Sequence, residues 1–166
     1  MKPVTTRREF ITRGGDAVAA TAALAALGSV HSMAAEQVAQ LRLGIIGCGG
    51  MMNGHIQGLI DRKSAVSFGW LCDVDPKQID KTTRRLDGFQ SVPPQHTARY
   101  EDVVADKNVD VVIIATPHHW HAPIALAAIA EGKDVYIEKP ISHSYDEGPA
   151  VVAAAEKYGR VVQHGS

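Results

Sequence analysis

GIIGCGGMMNGH, residues 44–55, decides how the rest of the chain is read. Gly47 and Gly49 hold the first two glycine places of a G-x-G-x-x-G phosphate loop, and Met52 stands in the third. Such a loop carries weight only between a strand and a helix, with an acid about 20 residues further on. LRLGIIG (41–47) before it is an apolar run of buried-strand type, and the segment after Gly50 carries a helix to about Lys63. The acid is Asp73, at the tip of the next strand. Gly47 permits the tight turn. Gly49, with Gly50 and Met51 beside it, lets backbone N–H groups approach a pyrophosphate at the positive end of the helix. The third place governs how closely helix and strand pack, so the bulky Met52 is expected to affect packing and affinity, and its replacement by Gly or Ala to leave binding unchanged or tighter.

Outward from the loop, short apolar runs alternate with helical ones. VSFGWLCDV (66–74) reads as a second strand, PKQIDKTTRRL (76–86) as a helix, and DGFQSVPPQHT (87–97) leaves room for a short third strand. YEDVVAD is a brief helix, VDVVIIAT (109–116) a strand, APIALAAIAEG (122–132) a strongly apolar helix. KDVYIEKP, a helix at about 145–158 and RVVQHGS complete the series. This alternation predicts an α/β fold, a doubly wound parallel sheet of Rossmann type covered on both faces. No repeat at solenoid spacing interrupts it.

Two carboxylates compete for the ribose of a bound dinucleotide. Asp75 precedes Pro76 and fits a helix N-cap with proline in the first position. Asp73 is therefore the expected ribose partner, and its charge disfavours a 2′-phosphate, so NAD is expected ahead of NADP.

The first 35 residues read as an export signal rather than as part of the fold. Arg7 and Arg8 precede Phe10 and Ile11, and an uncharged apolar run follows from Ala17 to Val30. That run of about 14 residues is too short for a stable anchor across a hydrocarbon core of about 30 Å. It suits a signal core, with cleavage expected after Ala34 or Ala35, and T-R-R-E-F-I resembles the twin-arginine type, which implies a periplasmic or otherwise exported protein. Residues 36–166 then form the Rossmann domain. A net charge of −1 gives no electrostatic footprint for nucleic acid. Cys48 and Cys72 are too few for a disulfide framework and read as two small buried residues, although the helix N-terminus beside Cys48 favours a lowered thiol pKa.

ATPHHWHAPIALAAIAEGKDVYIEKP (115–140), with GCGGMMNGH and LCDVDP upstream, resembles the Gfo/Idh/MocA family, the glucose–fructose oxidoreductase and inositol dehydrogenase relatives, from about Leu41 to Ser166. The resemblance implies an NAD(P)-dependent oxidoreductase that acts on a sugar or cyclitol hydroxyl. Members pair the Rossmann domain with a second α/β domain that builds the sugar site and much of the oligomer interface; the sequence stops before it. The resemblance implies Lys139 as the catalytic lysine of the Glu-Lys-Pro triplet, near the nicotinamide and the substrate hydroxyl, with Glu138 as a cofactor-side or structural partner. Thr116 and Pro117 are implied to line the cofactor at the end of a strand, and His121 to lie near the nicotinamide side. Trp120 reads as packing or a cleft wall.

His118, His119 and His121 crowd together, but consecutive histidines at a strand-to-helix turn point in different directions and no Cys or carboxylate lies nearby, so no metal is assigned. Two alternatives stay open: a dinucleotide-binding module without catalysis or a fragment of a longer gene product, and the family's NAD-dependent glycosidase or lyase chemistry, which the Glu-Lys-Pro triplet disfavours. Without a second domain the chain is expected to bind cofactor but not to turn over, and to form homo-oligomers only with that domain present.

Overall fold

A computed structural model describes residues 40–63 and 65–165. The expected export signal, residues 1–35, lies outside the described residues. The strands are β1 (Leu41–Ile46), β2 (Val66–Cys72), β3 (Gln95–Thr97), β4 (Val111–Ile114), β5 (Asp134–Ile137) and β6 (Val162–His164). The helices are α1 (Gly50–Ile60), α2 (Pro76–Arg85), α3 (Tyr100–Ala105), α4 (His121–Ala130) and α5 (Glu147–Tyr158), with a 3₁₀ turn over His118–Trp120. Every strand pairing is parallel, in the order β3-β2-β1-β4-β5-β6, which is the doubly wound sheet expected from the alternation. Element ends differ from the sequence reading by a few residues: β2 stops at Cys72, so Asp73 lies just past its tip.

The period-two pattern of β1 sorts its side chains between two cores. Leu43 and Ile45 join Met52, Ile56, Phe68, Leu71, Ile79 and Phe89 under α1 and α2. Ile46 joins the opposite core, built from β4 and β5 with α3, α4 and α5. Gly44 lies on that second side, where a Cβ would come within 2.4 Å of Val103 Cγ1; the missing side chain lets α3 close on the sheet. Met52, far from loosening the loop, is fully buried in the first core. Its side chain fills the helix–strand contact that a glycine would have made by close approach.

β1 is flanked by β2 on one side and, on the other, by β4, which the chain reaches by crossing back from β3. The helices after these strands therefore depart to opposite faces, and a crevice opens at the strand ends between them. Among the described residues no helix is long and apolar enough to cross a membrane.

Candidate dinucleotide site

The turn at the end of β1 is held by backbone geometry. Gly47 has φ of +89°, and a Cβ there would lie 2.6 Å from the Ala115 carbonyl oxygen and 2.9 Å from the Thr116 nitrogen. Only glycine lets β1 turn so close to the end of β4. Gly47 N–H donates to the Cys72 carbonyl at 2.8 Å, which ties the turn to β2 as well.

Gly49 differs. It is the N-cap of α1, with φ −73° and ψ −161°, a conformation open to any residue. A Cβ built on it, or on Gly50, would meet nothing within 4 Å. The protein's own packing therefore does not require glycine at either place. α1 begins with no side-chain cap and no acid in its first turn. Its leading N–H groups are without intrahelical partners and face open space, the arrangement that receives a phosphate.

Asp73 supports this loop directly. Its Oδ2 accepts the Cys48 N–H at 2.8 Å, and its Oδ1 accepts the Asp75 N–H at 2.9 Å. Asp75 is the N-cap of α2, as its sequence context implied, and accepts the Lys77 N–H at 3.0 Å. A carboxylate has about four lone-pair sites, so Asp73 keeps acceptor capacity beyond its two backbone bonds.

Gly47, Gly49, Gly50, Met51, Asp73, Thr116 and Pro117 line one cleft of about 630 Å³. Tyr100 and Trp120, with ring centroids 6.1 Å apart, line the same cleft, as do Val74 and Arg99. Val74 is 86 % exposed and Trp120 46 %, so this wall is apolar surface open to solvent. Trp120 is thus a cleft wall; Val74, Arg99 and Tyr100 drew no attention in the sequence, which has no signal that would have singled them out. The Thr116 hydroxyl is buried and lacks a hydrogen-bond partner among the described residues. An open glycine cradle, an acid past the β2 tip and an orphaned hydroxyl on the opposite wall together fit a dinucleotide.

His121, Glu138 and Lys139 do not line this cleft. His121 is 1 % exposed, with Nδ1 2.6 Å from the Pro140 carbonyl and Nε2 2.9 Å from the Thr116 carbonyl. A ring protonated on both nitrogens donates to both oxygens, a neutral ring to one. Glu138 is buried, and its carboxylate is occupied: His55 Nε2 lies 2.5 Å from Oε1, the Tyr136 hydroxyl donates to Oε1 at 3.4 Å, and the Lys139 N–H donates to Oε2 at 3.2 Å. Although burial works against ionisation, the hydrogen bonds from His55 and Lys139 leave the Glu138 carboxyl below the usual carboxylate range. Glu138 therefore ties α1, β5 and the Lys139 backbone together. Lys139 is exposed just past β5.

Both cysteines are free and buried. The Cys48 thiol is pushed up to about 12, by burial first and then by the charge of Asp73, so the lowered value expected from the helix N-terminus is overturned. Burial raises Cys72 to about 12 as well. Of the three crowded histidines, His118 packs its ring against His143, at 4.8 Å between centroids, while His121 turns inward.

A family model described as an oxidoreductase family with an NAD-binding Rossmann fold, Gfo/Idh/MocA, matches residues 41–166. A glycosyl hydrolase family 109 protein of Shewanella pealeana is 31 % identical over 134 residues, which cover 78 % of this chain and 29 % of that protein. The inositol 2-dehydrogenase of Salmonella paratyphi B is 32 % identical over 126 residues, covering 75 % and 36 %. The WlbA dehydrogenase of Chromobacterium violaceum, solved with NADH and UDP-GlcNAcA, superposes with a TM-score of 0.69 at 25 % identity, covering 76 % of this chain and 35 % of that one. The chain spans about a third of the length of the curated relatives it matches.

Proposed function

The chain belongs to the Gfo/Idh/MocA oxidoreductase family, and from that premise we propose that it supplies the nicotinamide-dinucleotide site of an NAD(P)-dependent oxidoreductase acting on a hydroxyl of a sugar or cyclitol. The single observation that carries this reading is the pair of unlike glycines at the end of β1. Gly47 is demanded by the protein's own backbone, whereas Gly49 has no such demand on it and lines the open cleft at the start of α1. Backbone N–H groups at Gly49, Gly50 and Met51 would hold the pyrophosphate at the start of α1. Asp73 would accept from the ribose hydroxyls while fixing the loop through Cys48, and its charge favours NAD over NADP. The Thr116 hydroxyl and Pro117 would line the opposite wall.

Bound NAD(P) supplies the hydride acceptor for an alcohol. Lys139 is the group this chain offers to manage the hydroxyl proton, from a backbone anchored by Glu138. A substrate must also be oriented within about 3–3.5 Å of the reacting carbon in a water-poor cleft. The described cleft is open and walled by exposed apolar side chains, so we expect the 166-residue chain alone to bind cofactor without turnover. Titration of the chain with NAD⁺ and NADH by calorimetry tests the reading, and absence of binding of both refutes it.

The glycosyl hydrolase relative favours a second reading, in which the same dinucleotide site serves a glycosidase or lyase. Release of a sugar product by the full-length protein, with no accumulation of reduced cofactor, would select it. Arg7-Arg8 and the apolar run behind them support export by the twin-arginine route. Fusion of residues 1–40 to a reporter active only outside the cytoplasm, with Arg7→Lys/Arg8→Lys as control, tests that assignment.

A further inference from the structure

The turn after β5 has little backbone support of its own. Glu138 N–H donates to the Ile114 carbonyl, Pro140 has no N–H, and residues 138–146 form no strand or helix. Two histidines supply the anchors. On the face covered by α1 and α2, His55 of α1 reaches the buried Glu138 carboxylate, whose second oxygen holds the Lys139 N–H. Tyr136 closes the cluster, meeting the His55 ring edge-on at 5.5 Å between centroids. On the other face, the His121 ring at the head of α4 bridges the Pro140 carbonyl and the Thr116 carbonyl. Thr116 is itself a wall of the dinucleotide cleft. One ring thus joins the lysine turn to the cleft wall, and the other joins it to the helix that begins at the phosphate loop. Between them Lys139 is exposed and enters none of the ion pairs among the described residues.

We propose that His55 and His121 are positioning residues that clamp the Glu138-Lys139-Pro140 turn from opposite faces of the sheet and so set where Lys139 meets the nicotinamide end of the cleft. The last clause rests on the dinucleotide reading; the clamp itself does not. A lysine side chain has four rotatable bonds, so its reach is useful only when its backbone is fixed. Displacement of about 1 Å at a reacting group is enough to matter. Loss of His55 leaves a buried carboxylate without its closest partner, and loss of His121 removes the ring that bridges the Thr116 and Pro140 carbonyls.

The test uses the 166-residue chain with His55→Gln and His121→Gln, each shown to be folded by its thermal transition. Without nucleotide, the Lys139 amide followed by NMR exchanges about tenfold faster in each variant, the effect of losing roughly one hydrogen bond. With nucleotide, NADH binding weakens by about five- to tenfold while ADP-ribose, which lacks the nicotinamide, stays within about twofold, because one hydrogen bond is lost at one end of the ligand. A merely structural role would weaken both ligands alike. Unchanged Lys139 exchange in both variants, or parallel loss of the two ligands, overturns the proposal. If wild type binds neither nucleotide, the dinucleotide reading fails and the clamp is decided on amide exchange alone. If His121→Gln does not fold, His55→Gln carries the test, since that side chain is 34 % exposed whereas His121 is buried.

Discussion

Gly49→Ala separates ligand binding from folding more cleanly than any other change in the loop. The residue sits at φ −73° and ψ −161°, which alanine adopts without strain, and the added methyl would touch no protein atom within 4 Å. At an N-cap alanine is slightly worse than glycine, while it lowers the entropy of the unfolded chain; the two effects are each several tenths of a kcal/mol and opposed. Folding stability in urea should therefore change by less than about 0.5 kcal/mol. Binding is another matter. The methyl occupies the approach to the N–H groups at the start of α1, and losing one charge-assisted hydrogen bond to phosphate costs about 1.5–3 kcal/mol, or about 10- to 150-fold in affinity. Gly47→Ala provides the contrast: its methyl would strike the Ala115 carbonyl at 2.6 Å from a positive φ, so it destabilises the fold with or without nucleotide. Calorimetric titration with NADH and urea unfolding on the two variants suffice. Unchanged NADH affinity in a folded Gly49→Ala protein would show that no phosphate approaches this loop.

Met52→Ala removes a fully buried side chain from the core beneath α1 and should cost about 2–5 kcal/mol of stability; a loss below about 1 kcal/mol in urea unfolding would mean that the core refills the space. Asp73→Ala removes the acceptor of two backbone N–H groups and should cost about 1–3 kcal/mol in the absence of nucleotide, with a further loss in NADH binding; wild-type apo stability would contradict the support we assign to it. The thiols titrate in the unfolded chain near 9.0 but are held protonated in the fold up to about 12. Stability from this source is complete below pH 9.0 and falls as pH rises toward 12, by as much as about 1.4 kcal/mol per pH unit for each thiol. Cys48→Ala/Cys72→Ala should flatten that decline, and a decline of equal slope in the double variant would assign it elsewhere.

Much of the fold was readable because its causes are local. Apolar runs bounded by turns mark β1, β2, β4 and β5, and their alternation with helical patterns leaves a parallel sheet as the way to bury both faces. The phosphate loop was legible for the same reason: Gly47, Gly49 and Asp73 sit at strand ends whose neighbours a Rossmann order fixes, and the Asp75-Pro76 cap identified itself by adjacency. What the sequence could not determine is which side chains meet once the sheet is assembled. Met52 looks like an error in a glycine pattern until the core under α1 shows it filling space. Cys48 has a helix N-terminus beside it, yet burial outweighs that field and raises its thiol. His55 had no visible partner because Glu138 is 83 residues away and becomes its neighbour only after β5 is laid into the sheet beyond β4. His121 pointed inward rather than toward the cleft because two carbonyls, five and 19 residues distant, converge on it. Pattern and turn chemistry act over a few residues and set the elements; side-chain burial and pairing depend on distances between strands that are remote in sequence, and those exist only in the folded sheet.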